Sequence, residues 1–167
     1  MKKVLILIFV SISVAGYTQK TTQAIAVTGL VKESKTFSVA DIEQLKVHDI
    51  GAVTITSHTG EKRSELTSLR GVLLKDLLNE VVISAENPKV LSAYYFVCKA
   101  SDGYTVVFSW NELFNAATGD AAYLVTDKNG ESMAQMDDAI LLICPRDVRT
   151  GRRHIKSLAT IEVKRAN

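Results

Sequence analysis

His58-Thr59-Gly60-Glu61-Lys62-Arg63-Ser64-Glu65 runs on through Leu66-Thr67-Ser68-Leu69-Arg70-Gly71-Val72 into Leu73-Leu74-Lys75-Asp76-Leu77-Leu78-Asn79-Glu80-Val81. The last part is the plainest to read. Its apolar positions 73, 74, 77, 78 and 81 recur at helical spacing and leave Lys75, Asp76 and Glu80 to solvent. The first part has no such period. From Thr56 to Glu65 it is a run of charged and hydrogen-bonding groups, which reads as a long polar loop between a strand and the helix. Long loops without structure of their own are more often functional than decorative.

Upstream, residues 24–30 read as a strand. Ser38-Val39-Ala40-Asp41-Ile42-Glu43-Gln44-Leu45 opens with a serine N-cap and acids in the first turn, the start signal of a short helix. Val53-Thr54-Ile55-Thr56 is β-branched and alternating, hence a strand. Downstream, residues 94–100 and 104–108 read as strands joined at Ser101-Asp102-Gly103, a hairpin signal. A short helix follows over 110–117. Segments 122–126 and 132–135 flank the tight turn Asp127-Lys128-Asn129-Gly130. Residues 139–144 are all apolar, as in a strand buried on both faces, and 155–163 form the last strand. Strands outnumber helices, both are short, and the order lacks the regular alternation of a doubly wound fold. The expected class is α+β with mixed or antiparallel sheets.

The N-terminus begins Met1-Lys2-Lys3 and continues with an apolar run to Val14, then polar Tyr17-Thr18-Gln19-Lys20. This is the signal-peptide pattern, with cleavage expected near residues 15–19. The run is too short for a membrane span, which takes about 20 apolar residues. The expected division is therefore a signal peptide over 1–19 and one domain over 20–167, periplasmic or secreted, with no membrane span after cleavage. A chain of that length buries roughly 70% of its unfolded surface and needs no staple. Of 20 Lys+Arg, two lie in the signal segment, so the mature domain balances 18 bases against 18 acids. Such neutrality excludes general nucleic-acid binding, which needs a broad basic field.

Two cysteines, Cys98 and Cys144, each sit in an apolar strand-like run. They read either as small buried side chains or, in an exported protein, as a disulfide. No C-x-x-C and no Cys-His cluster at ligand spacing accompanies them, and no C-x-x-C-H marks a haem.

Chemistry is concentrated in three segments. Pro145-Arg146-Asp147-Val148-Arg149-Thr150-Gly151-Arg152-Arg153-His154-Ile155-Lys156 gathers four arginines, a lysine and a histidine around one glycine. Arginine forks match phosphate or carboxylate oxygens two at a time. The residues alone equally describe a solvated basic turn that keeps the chain soluble. The polar run 56–65 carries His58, able to titrate, ligate a metal or bind an anion. His48 and His154 show no spacing with it that suggests a metal site. The third segment, Lys99-Ala100-Ser101-Asp102-Gly103-Tyr104, is a turn that lines a pocket if it lies beside the basic loop.

Taken in order, these segments resemble the molybdopterin-binding domain of the sulfite oxidase family, over roughly residues 25–164. That family's loop C-x-G-N-R-R-S-E is matched by residues 58–65, and its G-V-x-L-x-D-L-L by Gly71-Val72-Leu73-Leu74-Lys75-Asp76-Leu77-Leu78. Its D-G-Y is Asp102-Gly103-Tyr104. Its closing G-x-R-x-V-K-W-L is Gly151-Arg152-Arg153-His154-Ile155-Lys156-Ser157-Leu158, with serine for tryptophan. The resemblance implies a sulfite-oxidase-like α+β fold holding a pterin cofactor, with the phosphate near Arg153 and Lys156. Arg63 and His154 complete the cofactor-binding set. The family's metal-ligating cysteine is His58 here, so His58 is the catalytic candidate and a metal ligand only if molybdenum is present. Thiolate and imidazole differ in charge and softness.

Three functions remain at this stage. The first is a non-catalytic or repurposed exported relative that binds a small anionic ligand or a partner protein. The second is an active molybdopterin-dependent oxidoreductase, or a subunit of one, passing electrons to a separate redox partner. The third is a structural or interaction protein with no small ligand.

Overall fold

The computed structural model describes residues 22–166. The expected signal peptide lies outside the described residues. The chain begins with β1 (Ala24–Gly29) and β2 (Lys35–Ser38), followed by helix α1 (Val39–Glu43) and the long strands β3 (Val47–Thr56) and β4 (Lys62–Leu73). Helix α2 (Leu74–Asn79), a 3₁₀ turn (Pro88–Ala93), β5 (Tyr94–Ala100), β6 (Thr105–Ser109) and helix α3 (Trp110–Phe114) come next. Then β7 (Tyr123–Lys128), β8 (Glu131–Ser132), β9 (Leu141–Ile143), a 3₁₀ turn (Thr150–Arg153) and β10 (Leu158–Arg165) complete it.

Two five-stranded sheets result. One has the order β2-β1-β10-β5-β6; the other runs β3-β4-β7-β8, with β9 also paired to β7. The first and last strands are parallel neighbours, Val27 opposite Ile161, while the other strand pairs are antiparallel. Parallel neighbours cannot be joined by a tight turn. Here nearly all of the described domain is the connection, and β1 and β10 sit side by side inside the first sheet. The mixed α+β architecture follows as the strand-rich sequence leads one to expect.

Local chemistry explains the elements. Ser38 accepts from the Asp41 amide while Asp41 accepts from the Ser38 amide, a capping box that starts α1. Ser109 and Glu112 do the same for α3. In β1 and β5 alternate residues are buried, the period that places Ile25, Val27, Phe96 and Cys98 in the core. All three residues of β9 are buried. Leu74, Leu77 and Leu78 of α2 join Val53, Ile55, Phe108, Leu124, Leu142 and Ile161 in one continuous core.

Three expectations change. Residues 56–65 are not a long loop but the end of a hairpin: β4 starts at Lys62, and only a tight turn separates it from β3. Its residues 62–65 are all exposed. Since that end of β4 pairs with β3 alone, and β7 joins only from Leu69, neither face needs apolar side chains. The expected helix over 73–81 is shorter: Leu73 still belongs to β4, and α2 ends at Asn79. The last strand starts at Leu158, because Ser157 adopts a left-handed φ of 53° and Ile155 makes only an isolated bridge with Leu142.

Candidate functional site

The basic loop touches both of the other segments singled out in the sequence. Thr150 is buried at the first junction. Its hydroxyl donates to the Thr54 carbonyl at 2.7 Å and accepts from the Thr56 amide at 2.9 Å, which ties the basic loop to the end of β3. Gly151 follows so closely that a Cβ there would stand 2.1 Å from the Thr56 carbonyl oxygen. Only glycine permits that approach. At the hairpin tip, Gly60 lies against the guanidinium of Arg149. The third segment joins through Tyr104, whose phenol donates to the Arg152 carbonyl at 2.8 Å, and through the Ser101 amide, which donates to the Ser157 carbonyl at 3.0 Å.

The hairpin turn is organised by Ser57. Its backbone amide donates to the Glu61 carbonyl at 2.8 Å, and its hydroxyl accepts from the Thr59 and Glu61 amides, both at 3.2 Å. A serine hydroxyl serving nearby amides is the usual polar scaffold of such a turn. His58 rides on it, exposed. Arg63, just inside β4, is exposed as well.

The basic loop divides its side chains. Arg153 turns to acids: its Nε donates to Asp147 Oδ2 at 2.7 Å, its Nη2 to Asp147 Oδ1, and its Nη1 to Glu112 Oε1 at 3.0 Å. The guanidinium stacks 4.7 Å from the centre of the Phe108 ring. The Asp147 hydrogen bonds raise its already high pKa further, against the opposing effect of burial. His154 and Lys156 face other partners. Lys156 Nζ lies 3.8 Å from Asp138, which also binds Lys128 at 2.7 Å. Burial, then the Lys156 charge, lowers the His154 pKa to about 4, so the ring is neutral at ordinary pH. Its Nε2 is buried and makes no hydrogen bond to the described residues. The structure thus brings the His58 turn and the basic loop into contact, yet sends Arg153 and Lys156 to different carboxylates.

A cleft of about 170 Å³ opens at the start of the basic loop, lined by Ala117, Thr118, Ala121, Cys144, Arg146 and Asp147. His58 lies outside that lining. Pockets for drug-sized ligands are usually about 300–1,000 Å³, so this one suits only a small occupant. Both cysteines are buried and free. Burial raises the Cys98 thiol, with a further push from Cys144, and drives Cys144 up to about 12. Among the described residues no three His, Cys, Asp or Glu side chains gather in a way that would hold a metal ion, and no helix is long and apolar enough to cross a membrane.

Sequence reasoning missed Thr150 as the tether and Asp147 and Glu112 as the partners of Arg153. Asp147 lay in plain view inside the basic loop. Glu112 carried a signal of its own as the N3 acid of a capping box, but nothing local connects it to a residue so distant in the chain.

No protein-family model matches the chain, and no curated protein matches it in sequence. Among solved structures its fold matches that of the sulfane dehydrogenase SoxCD from Paracoccus pantotrophus. The TM-score is 0.62 at 14% identity, covering 90% of this chain and 39% of that one. The chain therefore spans well under half of the longer protein. At that identity the likeness is one of fold: nearly all of this chain is built like a part of a sulfane dehydrogenase.

Proposed function

We propose that the chain is an exported, non-catalytic relative of the molybdopterin-binding domains of sulfite-oxidase-type enzymes. It binds a small anionic ligand or a partner protein at the junction of the hairpin tip and the basic loop. The observation that carries this reading is the donor chemistry of that junction. An exposed His58 stands at the position the resemblance gives to the metal-ligating cysteine, and the two thiols the chain does have are buried and protonated.

A molybdenum–pterin cofactor is the group the resemblance implies, and the residues present do not fit it. Molybdenum in that family is held by a thiolate. A single solvent-exposed imidazole on a hairpin tip supplies neither the charge nor the soft sulfur, and no cluster of further donors stands by it among the described residues. Arg153, which the resemblance sets on the cofactor's phosphate, has its fork on Asp147.

What the junction does offer is exposed positive charge. Arg63, Arg149 and Arg152 are exposed. Planar guanidinium forks of this kind take oxyanions two hydrogen bonds at a time. Lys156 is exposed too, but its ammonium lies by Asp138. His154, neutral at ordinary pH, adds no charge.

The fold likeness to sulfane dehydrogenase favours a second reading, a molybdopterin-dependent oxidoreductase or enzyme subunit with its own redox partner. Metal and pterin analysis of protein purified from its native host separates the two. The first reading expects neither in stoichiometric amount; molybdenum and pterin at one per chain would overturn it. In addition, His58→Cys tests the position itself: molybdenum retained by that variant and not by the parent would show that the loss of sulfur is what separates this domain from the enzymes.

A further inference from the structure

The chain's single tryptophan lines a cleft that shares no residue with the hairpin tip or the basic loop. Trp110 opens α3, where the Ser109–Glu112 capping box fixes the start of the helix. Its ring stacks on Phe114, 5.3 Å between centroids and 24° between planes, and Phe114 in turn meets buried Phe96 at 6.0 Å. Both rings are thus held in place before any ligand arrives, which lowers the ordering cost of binding. They are only partly buried, as are Ile83 and Leu91 in the same lining. The cleft measures about 410 Å³, within the usual range of small-molecule sites, roughly 300–1,000 Å³. Its polar groups are few and largely uncommitted. The Trp110 indole N–H and the Asn79 side-chain amide have no hydrogen-bond partner among the described residues. Asn87 spends its Oδ1 on the Lys89 amide at 3.0 Å and so fixes the start of the 3₁₀ turn on the rim. Glu86 is the one formally charged residue of the lining. Arg165 reaches it from outside the lining by a single contact at 3.4 Å, with the Glu86 side chain 75% exposed. A surface pair of that kind is worth little and leaves the carboxylate able to take another cation.

We propose that this cleft binds a small aromatic amine, with its ring against Trp110 and Phe114 and its ammonium beside Glu86. The apolar walls select the ring, because aromatic side chains gain from offset or edge contacts with a further ring beyond the area they bury. Charge selects the amine. The lining holds a carboxylate and neither lysine nor arginine, so an anion of the same shape meets repulsion with nothing in the wall to offset it. An ammonium gains Glu86 and is also attracted by an indole face. The uncommitted indole N–H and the Asn79 amide serve polar substituents on the ligand. The inference does not depend on the function proposed above: it involves other segments and a ligand of opposite charge, so either can fail alone.

The probes are 2-phenylethylamine and phenylacetate, which share a ring and a similar length and differ in the sign of their charge. Trp110, as the only tryptophan, reports by its fluorescence and by its indole N–H resonance. The amine is expected to shift both saturably, with a Kd of about 10 mM or tighter, the affinity that a low efficiency per ligand atom gives so small a molecule. Phenylacetate should bind more weakly. Glu86→Gln should weaken amine binding by roughly two- to fivefold and remove the difference between the two probes, and Glu86→Lys should reverse it. Both substitutions lie at an exposed position, so the fold should tolerate them. A linear response to the amine in the parent would overturn the proposal, as would equal affinity for phenylacetate or an unchanged affinity in Glu86→Gln. Trp110 emission that changes on dilution without ligand would overturn it as well, since a second copy of the chain would then cover the cleft.

Discussion

The imidazole of His154 is half-buried among Lys156, Asp138 and Lys128, and burial, followed by the Lys156 charge, pulls its pKa from 6.5 to about 4. In the unfolded chain the ring takes up its proton near its ordinary value; in the folded chain it does so only near pH 4. Between those limits the unfolded state binds more protons, so stability falls as pH falls through that window and the loss is complete below it. The contribution is fully present above about pH 6.5, with an upper bound of roughly 3 kcal/mol. His154→Gln should therefore flatten the stability profile between about pH 6.5 and 4. Urea unfolding of parent and variant across that range measures it, and parallel profiles would refute the assignment. Thr150 makes a second residue-scale case. Valine keeps its shape but removes the bonds to the Thr54 carbonyl and the Thr56 amide. Leaving two such groups unpaired at a buried junction should cost about 1–3 kcal/mol, read from the same unfolding curves.

At the level of elements, the hairpin of β3 and β4 has two characters. Its base, from Leu69 on, is the middle of a sheet; its outer half is a two-stranded ribbon tied down by the basic loop. Few buried contacts mean a low cost of local opening. Amides of residues 62–66 should thus exchange with solvent much faster than those of 69–73 in hydrogen-exchange mass spectrometry, and uniform protection along β4 would contradict this. Gly151→Ala should push the loop off the ribbon, because the obstruction at 2.1 Å is backbone and cannot rotate away. The expected sign is faster exchange over 54–66 and a melting point lower by several degrees, on the scale of about 2–4 °C per kcal/mol. The same hairpin shows what the sequence could and could not disclose. The start of α1 was legible in Ser38 and the acids after it because capping is local chemistry. Residues 62–65 were not legible as strand, since alternation marks a strand only where one face is buried, and there none is. In the same way, clustered charge marked the basic loop, the long polar run marked the His58 turn, and a hairpin signal marked the Asp102-Gly103-Tyr104 turn as the places to look. Their meeting was not legible, for it rests on Thr150 with Thr54 and on Tyr104 with Arg152, contacts between segments far apart in the chain. The fate of Arg153 was hidden for the same reason: an arginine awaiting a ligand and one already held by Asp147 and Glu112 are the same letter.

On the scale of the whole molecule, both sheets contribute to one core, and both thiols are buried in it. Cys98 lies in the middle of β5, between β10 and β6, while Cys144 follows β9 near the Arg153–Asp147 ion pair. Cys98 is fully covered and Cys144 is 2% exposed. For Cys144 a pKa of about 12 leaves a thiolate fraction of roughly 10⁻⁵ at pH 7, and the thiolate is the reactive form. Burial and protonation thus act together, so neither sulfur should react with an aromatic disulfide reagent while the fold is intact. Cys98 pairs with β10 on one side and β6 on the other, so exposing it requires the first sheet to come apart, and that removes the shared core that covers Cys144. Both thiols should then be labelled in one kinetic step, at the rate of global unfolding, with two groups released per chain in denaturant. Fast labelling of Cys144 alone would mean that the cleft beside Asp147 admits reagents and opens apart from the core. A native mass lower by two hydrogens, restored by a reductant, would mean that the two sulfurs are joined rather than free.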